Sequence, residues 1–221
     1  MNVFNAGEEA IKRENELWNI PYVILRLPDV IGLRDNTDRF WSYLLWLRFH
    51  DILDRPINLP PSLHDRPLSF AFAEDVANLL ILLPEYTDGS VFNFAYNLAF
   101  RETVTLEEML RIMAKHLGIS EVKFDKSHEG GPRYFPSVSR GPLDISMALD
   151  YLKWNPHKLE IGVKKTVQFY EYAMRSSDFK AQRKEILDRF RVPPHAMGAF
   201  KQRLKDVYGI DYDRVMVKDE L

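Results

Sequence analysis

The sequence predicts an α/β fold organised around one parallel strand, and three features of residues 7–32 predict it. Residues 22–25 are a continuous, β-rich apolar run, typical of a strand buried on both faces. Residues 7–19 precede it with the periodicity of an amphipathic helix whose buried face carries Ile11 and Trp18. Pro28 must end the strand and Gly32 opens the following loop, at the strand end where ligands bind in open α/β sheets.

The next predicted helix, residues 40–53, is strongly aromatic. A polar loop precedes it, in which Thr37 or Asp38 is positioned to cap the helix. Apolar residues occupy most of its sides, which favours a buried core helix or an oligomer interface over a stacking platform for a base or sugar.

The middle of the chain continues the α/β pattern. Residues 55–67 contain four prolines and predict a loop, residues 68–72 a short strand, and residues 73–83 a helix. Glu74 and Asp75 open that helix, where acidic side chains complement the helix dipole; we favour this role over catalysis.

The clearest helix spans residues 105–117. Thr105 and Glu108 form a capping box, and Gly118 ends the helix. Residues 122–124 predict an edge strand, residues 128–140 a Gly/Pro-rich loop, and residues 161–174 a long helix.

The sequence also predicts a boundary near residue 175. Residues 1–175 carry the α/β pattern, whereas residues 176–221 are highly charged and hold two amphipathic helical patterns split by Pro193 and Pro194. We expect residues 176–221 to form a helical appendage that packs on the body or on a partner.

Composition excludes several classes of function. The 221 residues are 46% hydrophobic and 28% charged, which indicates a globular protein with a sizeable core. A net charge of −2 and no concentration of basic and aromatic residues predict no nucleic-acid surface. No cysteine is present, the six histidines lack metal-ligand spacing, and no apolar stretch is long enough to span a membrane.

Four blocks together resemble the extended short-chain dehydrogenase/reductase family, in its NAD-dependent epimerase/dehydratase branch. They are similar to the latter half of such proteins and occur in the family's order over residues 5–175. The blocks are GEEAIKRENELWNIPYVILRLPDVIG, SFAFAEDVANLLILL, GSVFNFAYNLAFRETVTLEEMLRIMAKHLG and DISMALDYLKWNP. The resemblance implies the C-terminal part of a Rossmann-like doubly wound parallel sheet and a small substrate-side α/β subdomain, followed by the helical C-terminal appendage.

Two family motifs have no match in this sequence. The only glycine pair, Gly130–Gly131, lies far downstream of the position of a dinucleotide-binding turn. When the family's catalytic Tyr-x-x-x-Lys motif is aligned with this sequence, its lysine falls on Phe4 and its tyrosine before Met1. We therefore predict no catalytic residue and no metal ligand in this chain.

The resemblance implies binding residues at several positions. The nicotinamide end of NAD or NADP would contact Leu27, Pro28 and Val30. A nucleotide sugar would contact Asp29, Arg66, Asn93, Arg133 and Arg140. Arg66 lies two residues from the family's arginine position, Leu68, which puts diphosphate binding in question. For Asn93 we favour a structural hydrogen bond from its side chain to the backbone over a ligand contact. For Arg133 and Arg140 we favour a position in a solvated loop over a ligand contact.

Two functional hypotheses follow. The chain is either the substrate-side portion of an NAD(P)-dependent nucleotide-sugar epimerase/dehydratase-like protein, inactive alone, or a non-catalytic scaffold or interaction protein derived from that fold. Both predict an exposed sheet edge covered by a second copy or a partner protein. The chain as written predicts a cytoplasmic location. Its last residues, KDEL, match the endoplasmic-reticulum retrieval signal, which requires an upstream signal peptide to act.

Overall fold

Parallel strand pairs flanked by helices form the body of the protein. The computed structural model describes residues 3–53, 56–127, 134–137 and 141–216. Its strands are β1 (Val23–Arg26), β2 (Asp29–Ile31), β3 (Ile57–Asn58), β4 (Phe70–Phe72), β5 (Phe94–Asn97) and β6 (Phe124–Asp125). Its α-helices are α1 (Val3–Trp18), α2 (Arg39–Phe49), α3 (Pro61–His64), α4 (Ala73–Leu82), α5 (Leu106–His116), α6 (Ser146–Tyr151), α7 (Leu159–Arg175), α8 (Lys180–Arg189), α9 (Met197–Tyr208) and α10 (Tyr212–Met216).

The strands pair β1 with β5, β2 with β4, and β3 with β6, each in parallel. The chain leaves β1 after Arg26, passes Leu27 and Pro28, and enters β2 at Asp29, so one segment serves two strand pairs. The α/β class and the parallel character of residues 20–32 are therefore confirmed.

The prediction that the first strand is buried on both faces is wrong for β1. Val23, Ile24 and Leu25 are only half-buried, and Arg26 is exposed. Within the described residues β5 is the strand that pairs with β1, so its other edge carries no strand. The predicted buried face of α1 is also wrong, because Ile11, Leu17 and Trp18 are exposed.

Gly32 is required where β2 meets α4. Its φ is +150°, and a Cβ atom at this position would lie 2.7 Å from the Cβ of Ala73. Any larger residue would push apart the end of the strand and the first turn of the helix.

The aromatic helix α2 is the centre of the main core, as the core interpretation predicts. Its residues from Phe40 to Leu47 are all buried, and they pack together with apolar side chains of α5 and α7. Asp38 occupies the N-cap position but makes no capping hydrogen bond; its carboxylate instead lies 3.1 Å from the guanidinium of Arg189 on α8.

The C-terminal helices share this core. Phe200 of α9 is fully buried, with its ring centroid 4.6 Å from that of Phe49 and 6.0 Å from that of Phe190. A polar network adds to the contact: Arg48 donates to the carboxylate of Glu171 at 2.9 Å, and the Tyr208 hydroxyl donates to the same carboxylate at 2.6 Å. The division of the chain near residue 175 stays a prediction.

A second, smaller core lies between β4, β5, α4 and α6. Helix α5 begins at the predicted capping box, in which the Thr105 side chain accepts from the Glu108 backbone and Glu108 accepts in return. Within the described residues no helix is both long and apolar enough to cross a membrane.

Candidate functional site

At the end of the anchor segment, where the sequence predicts a crevice, the structure has a closed polar cluster of Asp29, Arg39, Phe135 and Ser137, called the Asp29 crevice below. Asp29 begins β2 and is 2% exposed. Its carboxylate accepts hydrogen bonds from Arg39, from the Ser137 hydroxyl, and from the Ser137 backbone N–H at 2.7 Å. A carboxylate this deeply buried is stable only when it is paired, and Arg39 is its pairing cation.

An aromatic ring holds the Arg39 side chain in place. The guanidinium lies 5.2 Å from the ring centroid of Phe135, which is fully buried. Phe135 in turn contacts the rings of Phe70 in β4 and Tyr43 in α2. Segment 134–137 therefore covers Asp29, and Arg39 and Ser137 of the same chain bind both of its carboxylate oxygens.

Asn93 lies at the opposite end of the β1–β5 pair from Asp29, immediately before β5 begins. Its φ is +68°, and its side-chain oxygen accepts from the Asn15 side chain at 3.2 Å and from the Tyr22 backbone N–H at 3.3 Å. Because both contacts tie α1 and β1 to β5, Asn93 has a sufficient structural role in this arrangement.

The acidic pair that opens α4 connects this helix to the region of α7. Asp75 is buried and accepts from the backbone N–H of His157 at 3.0 Å, and the imidazole Nδ1 lies 2.5 Å from the same carboxylate. Glu74 forms an ion pair with Lys165 at 2.7 Å. These contacts go beyond the predicted interaction with the helix dipole, since each carboxylate fixes a specific residue of a distant segment.

Comparison with known proteins identifies the fold. No family model matches the chain, and no curated protein matches it. Solved structures do match. UDP-glucose 4-epimerase from Thermotoga maritima, with UDP-glucose, has a TM-score of 0.58 at 18% identity over 77% of this chain and 52% of its own. UDP-glucuronic acid 4-epimerase from Bacillus cereus, with UDP-glucuronic acid and NAD, has a TM-score of 0.57 at 21% identity over 75% and 50%.

The chain shares the fold of these two UDP-sugar 4-epimerases over about three quarters of its length. A further match within this fold is RMD from Pseudomonas aeruginosa, complexed with NADPH, with a TM-score of 0.57 at 13% identity over 76% and 53%. The chain spans about half the length of each of these structures. The fold-level resemblance predicted from the four sequence blocks is therefore confirmed.

The structure describes six of the eight residues that the epimerase resemblance assigned to cofactor and substrate. Leu27 is exposed, Pro28 is buried and Val30 is half-buried along the β1–β2 segment. Arg66 is exposed at the end of α3, with its backbone N–H on the Leu63 carbonyl. The hydrogen-bond partners of Asp29 and those of Asn93 do not overlap.

The remaining assigned residues, Arg133 and Arg140, lie outside the described residues, as does the terminal KDEL sequence. The binding roles of all eight positions stay predictions. The described residues contain no cluster of three or more acidic or histidine side chains that could hold a metal ion.

Sequence reasoning missed Arg39, Phe135 and Ser137 in this crevice. Of the three, Arg39 could have been found from the sequence. It is a basic residue in the first turn of a helix, where the helix dipole disfavours a positive charge, and it follows the Asp29 carboxylate by ten residues. Phe135 and Ser137 gave no comparable signal, since they lie in a Gly/Pro-rich loop more than a hundred residues away from Asp29.

Proposed function

We propose that this chain is the substrate-side portion of an NAD(P)-dependent nucleotide-sugar epimerase- or dehydratase-like protein and works only together with a polypeptide that supplies the dinucleotide-binding half. The observation that carries the proposal is the shared fold, which extends over three quarters of this chain but only half of each matched epimerase. UDP-sugars and NAD, the ligands of those epimerases, are accordingly the ligands that we assign to the completed protein.

The open side of β1 supports the need for a second polypeptide. In the described part of the chain, no strand pairs with the edge of β1 that faces away from β5. An unpaired strand edge is a template for pairing with another strand. On α1, which Glu8 fastens to Arg26 of β1 through two hydrogen bonds, Ile11, Leu17 and Trp18 are exposed. Exposed apolar side chains on a helix that contacts an open strand favour a protein–protein interface.

We expect the isolated chain to self-associate or to require its partner for stability. Light scattering at micromolar concentration should give a mass above that of a monomer, and Ile11→Glu should lower it by placing a charge on the α1 surface. Ile161→Glu on α7 is the matched control, because both isoleucines are 43% exposed in helices. A monodisperse wild-type monomer with a cooperative melt would contradict the proposed open edge.

Thermal-shift titration tests the ligand assignment. UDP-glucose should raise the melting temperature of the chain, whereas NAD alone should not, because the motif that binds its pyrophosphate has no match here. A ligand at a hundred times its dissociation constant adds about 2.7 kcal/mol, a shift of several degrees for a chain of this size. Arg140→Ala should reduce the UDP-glucose shift, and Arg214→Ala, on exposed α10, should leave it unchanged.

A non-catalytic scaffold is the second candidate, and the occupancy of Asp29 favours it. The carboxylate that the resemblance directs toward a sugar is already bound by Arg39 and Ser137. If this contact is permanent, neither UDP-glucose nor NAD will change the melting temperature, while the association through α1 will persist. A shift with NAD alone would instead overturn the requirement for a separate dinucleotide-binding half.

A further inference from the structure

A cleft lies where the C-terminal helices meet the body, apart from the crevice at Asp29. It is bounded by the loop between β2 and α2, by α7, and by the segment that begins α8, and its volume is about 420 Å³. Small-molecule sites commonly range from about 300 to 1,000 Å³. Because α8 lies beyond the residues that resemble the epimerases, this cleft does not correspond to any position assigned by that resemblance.

One wall of the cleft is a continuous row of aromatic rings. The ring centroids of Trp41 and Tyr170 are 5.0 Å apart, those of Tyr170 and Phe169 are 5.1 Å apart, and those of Phe169 and Phe179 are 5.3 Å apart. Arg34 already places its guanidinium 6.0 Å from the Phe179 ring centroid. Trp41 and Tyr170 are 2% exposed, so the half-buried Phe169 and Phe179 are the rings offered to a flat apolar group and to a cation.

Carboxylates outnumber cations along the rest of the lining. The acidic residues are Asp35, Asp38, Asp178 and Glu185, and the basic residues are Arg34 and Arg189. Arg189 is already engaged, because its guanidinium lies 3.1 Å from Asp38 and 2.5 Å from Glu185. The charge left for a ligand is accordingly negative.

Two titratable groups of the lining combine a larger effect of burial with a smaller effect of these negative charges. Burial raises the pKa of the Tyr170 hydroxyl far above its usual range, and the nearby charges of Asp35 and Asp38 raise it further. Burial also raises the pKa of the Asp38 carboxyl group. The charges of Glu185 and Asp35 raise this pKa further, whereas the charge of Arg189 lowers it. A bound cation would relieve this repulsion, whereas a phosphate or carboxylate would increase it.

Two polar atoms in the same lining lack hydrogen-bond partners. Among the described residues, Asp35 Oδ2 and Trp41 Nε1 are buried with none, although Asp35 Oδ1 accepts from Thr37 and the Asp35 backbone N–H donates to the Tyr170 hydroxyl. Buried polar groups are normally paired, so an unpaired acceptor and an unpaired donor in residues that line one cleft fit a ligand that carries both a donor and an acceptor.

We propose that this cleft binds a small organic cation, namely an amine or guanidine with an apolar body and a hydrogen-bonding oxygen or nitrogen. Its charged group lies among Asp35, Asp178 and the exposed side of Glu185, and its apolar body packs on the rings of Phe169 and Phe179. Binding at this point also clamps α8 to the β2–α2 loop, because the cleft is lined from both.

Isothermal titration of the full chain tests the charge requirement with tyramine and agmatine as probes. 4-Hydroxyphenylethanol, the neutral analogue of tyramine, and 4-hydroxyphenylacetate, the anionic one, are the matched ligands. At least one amine should bind saturably, and the neutral and anionic analogues should bind about tenfold more weakly or worse. Equal binding of tyramine and its neutral analogue, or no binding of either amine, would overturn the proposal.

Substitutions locate the site. Asp35→Asn should weaken amine binding about tenfold, and the exposed Asp178→Asn, which does not disturb a buried group, should weaken it in the same direction. Asp206→Asn on α9, whose carboxylate accepts from Gln202 outside the cleft, is the control. Unchanged affinity in both Asp35→Asn and Asp178→Asn would overturn the assignment. The result does not depend on UDP-glucose binding, so it stands or fails separately from the proposed function.

Discussion

Replacing Phe200 by alanine is expected to lower the free energy of unfolding by about 3–5 kcal/mol, the usual range for removing a large buried aromatic side chain. Phe200 is fully buried and its ring contacts those of Phe49, Phe190 and Tyr212, so it joins α9 to α2, to the end of α8 and to α10. The surrounding rings belong to three other elements, so we expect them to fill the space only in part, and the cost of the residual cavity adds to the lost burial.

Urea denaturation followed by circular dichroism measures this effect. Phe94→Ala is the control, because Phe94 is 47% exposed on β5 and its loss should cost about 1 kcal/mol or less. Since Phe200 shares one core with α2 and α7, we expect a single transition at lower urea. An early, separate transition in Phe200→Ala, with the main transition unchanged, would show instead that residues 176–221 unfold as an independent unit.

Features encoded over short distances in the sequence were predictable. The capping box at Thr105, the strand end at Pro28 and the burial of α2 each depend on neighbouring residues or on a period that one helix can show. Likewise, the apolar run at residues 22–25 correctly indicated a parallel strand. Its half-buried state was not predictable, because burial depends on what lies on the far side of β1 rather than on the run itself.

Contacts between distant segments were not predictable from one sequence. The amphipathic pattern of α9 indicates that Phe200 is buried, but not that Phe49, some 150 residues earlier, is its neighbour. In the same way, α1 has an amphipathic sequence, yet its apolar side chains are exposed because the described residues supply no covering surface. The Asp29 crevice combines both cases, since Asp29 follows the strand that the sequence predicts, while its partners come from α2 and from segment 134–137. Its predicted role in substrate binding stays a prediction.

The second large effect is expected at this crevice. Asp29→Ala should lower the free energy of unfolding by about 3 kcal/mol, because breaking a buried ion pair from one side typically costs about 3–5 kcal/mol and the Arg39 side chain keeps 22% exposure to water. The substitution leaves the guanidinium beside the Phe135 ring without its counter-charge and removes the acceptor of the Ser137 backbone N–H. Asp213→Ala, which removes an exposed ion pair with Lys201, should cost at most about 1 kcal/mol.

A double-mutant cycle with Arg39→Ala separates the ion pair from the other roles of Asp29. The coupling should be large, about 1–3 kcal/mol, if the pair stabilises the closed crevice, since the two side chains are in direct contact. The same variants connect stability to function: Arg39→Ala frees the Asp29 carboxylate, so a gain in UDP-glucose binding would identify Arg39 as the group that competes with the sugar. A coupling near zero, with a cost for Asp29→Ala no greater than for Asp213→Ala, would mean that this pair does not hold the crevice closed.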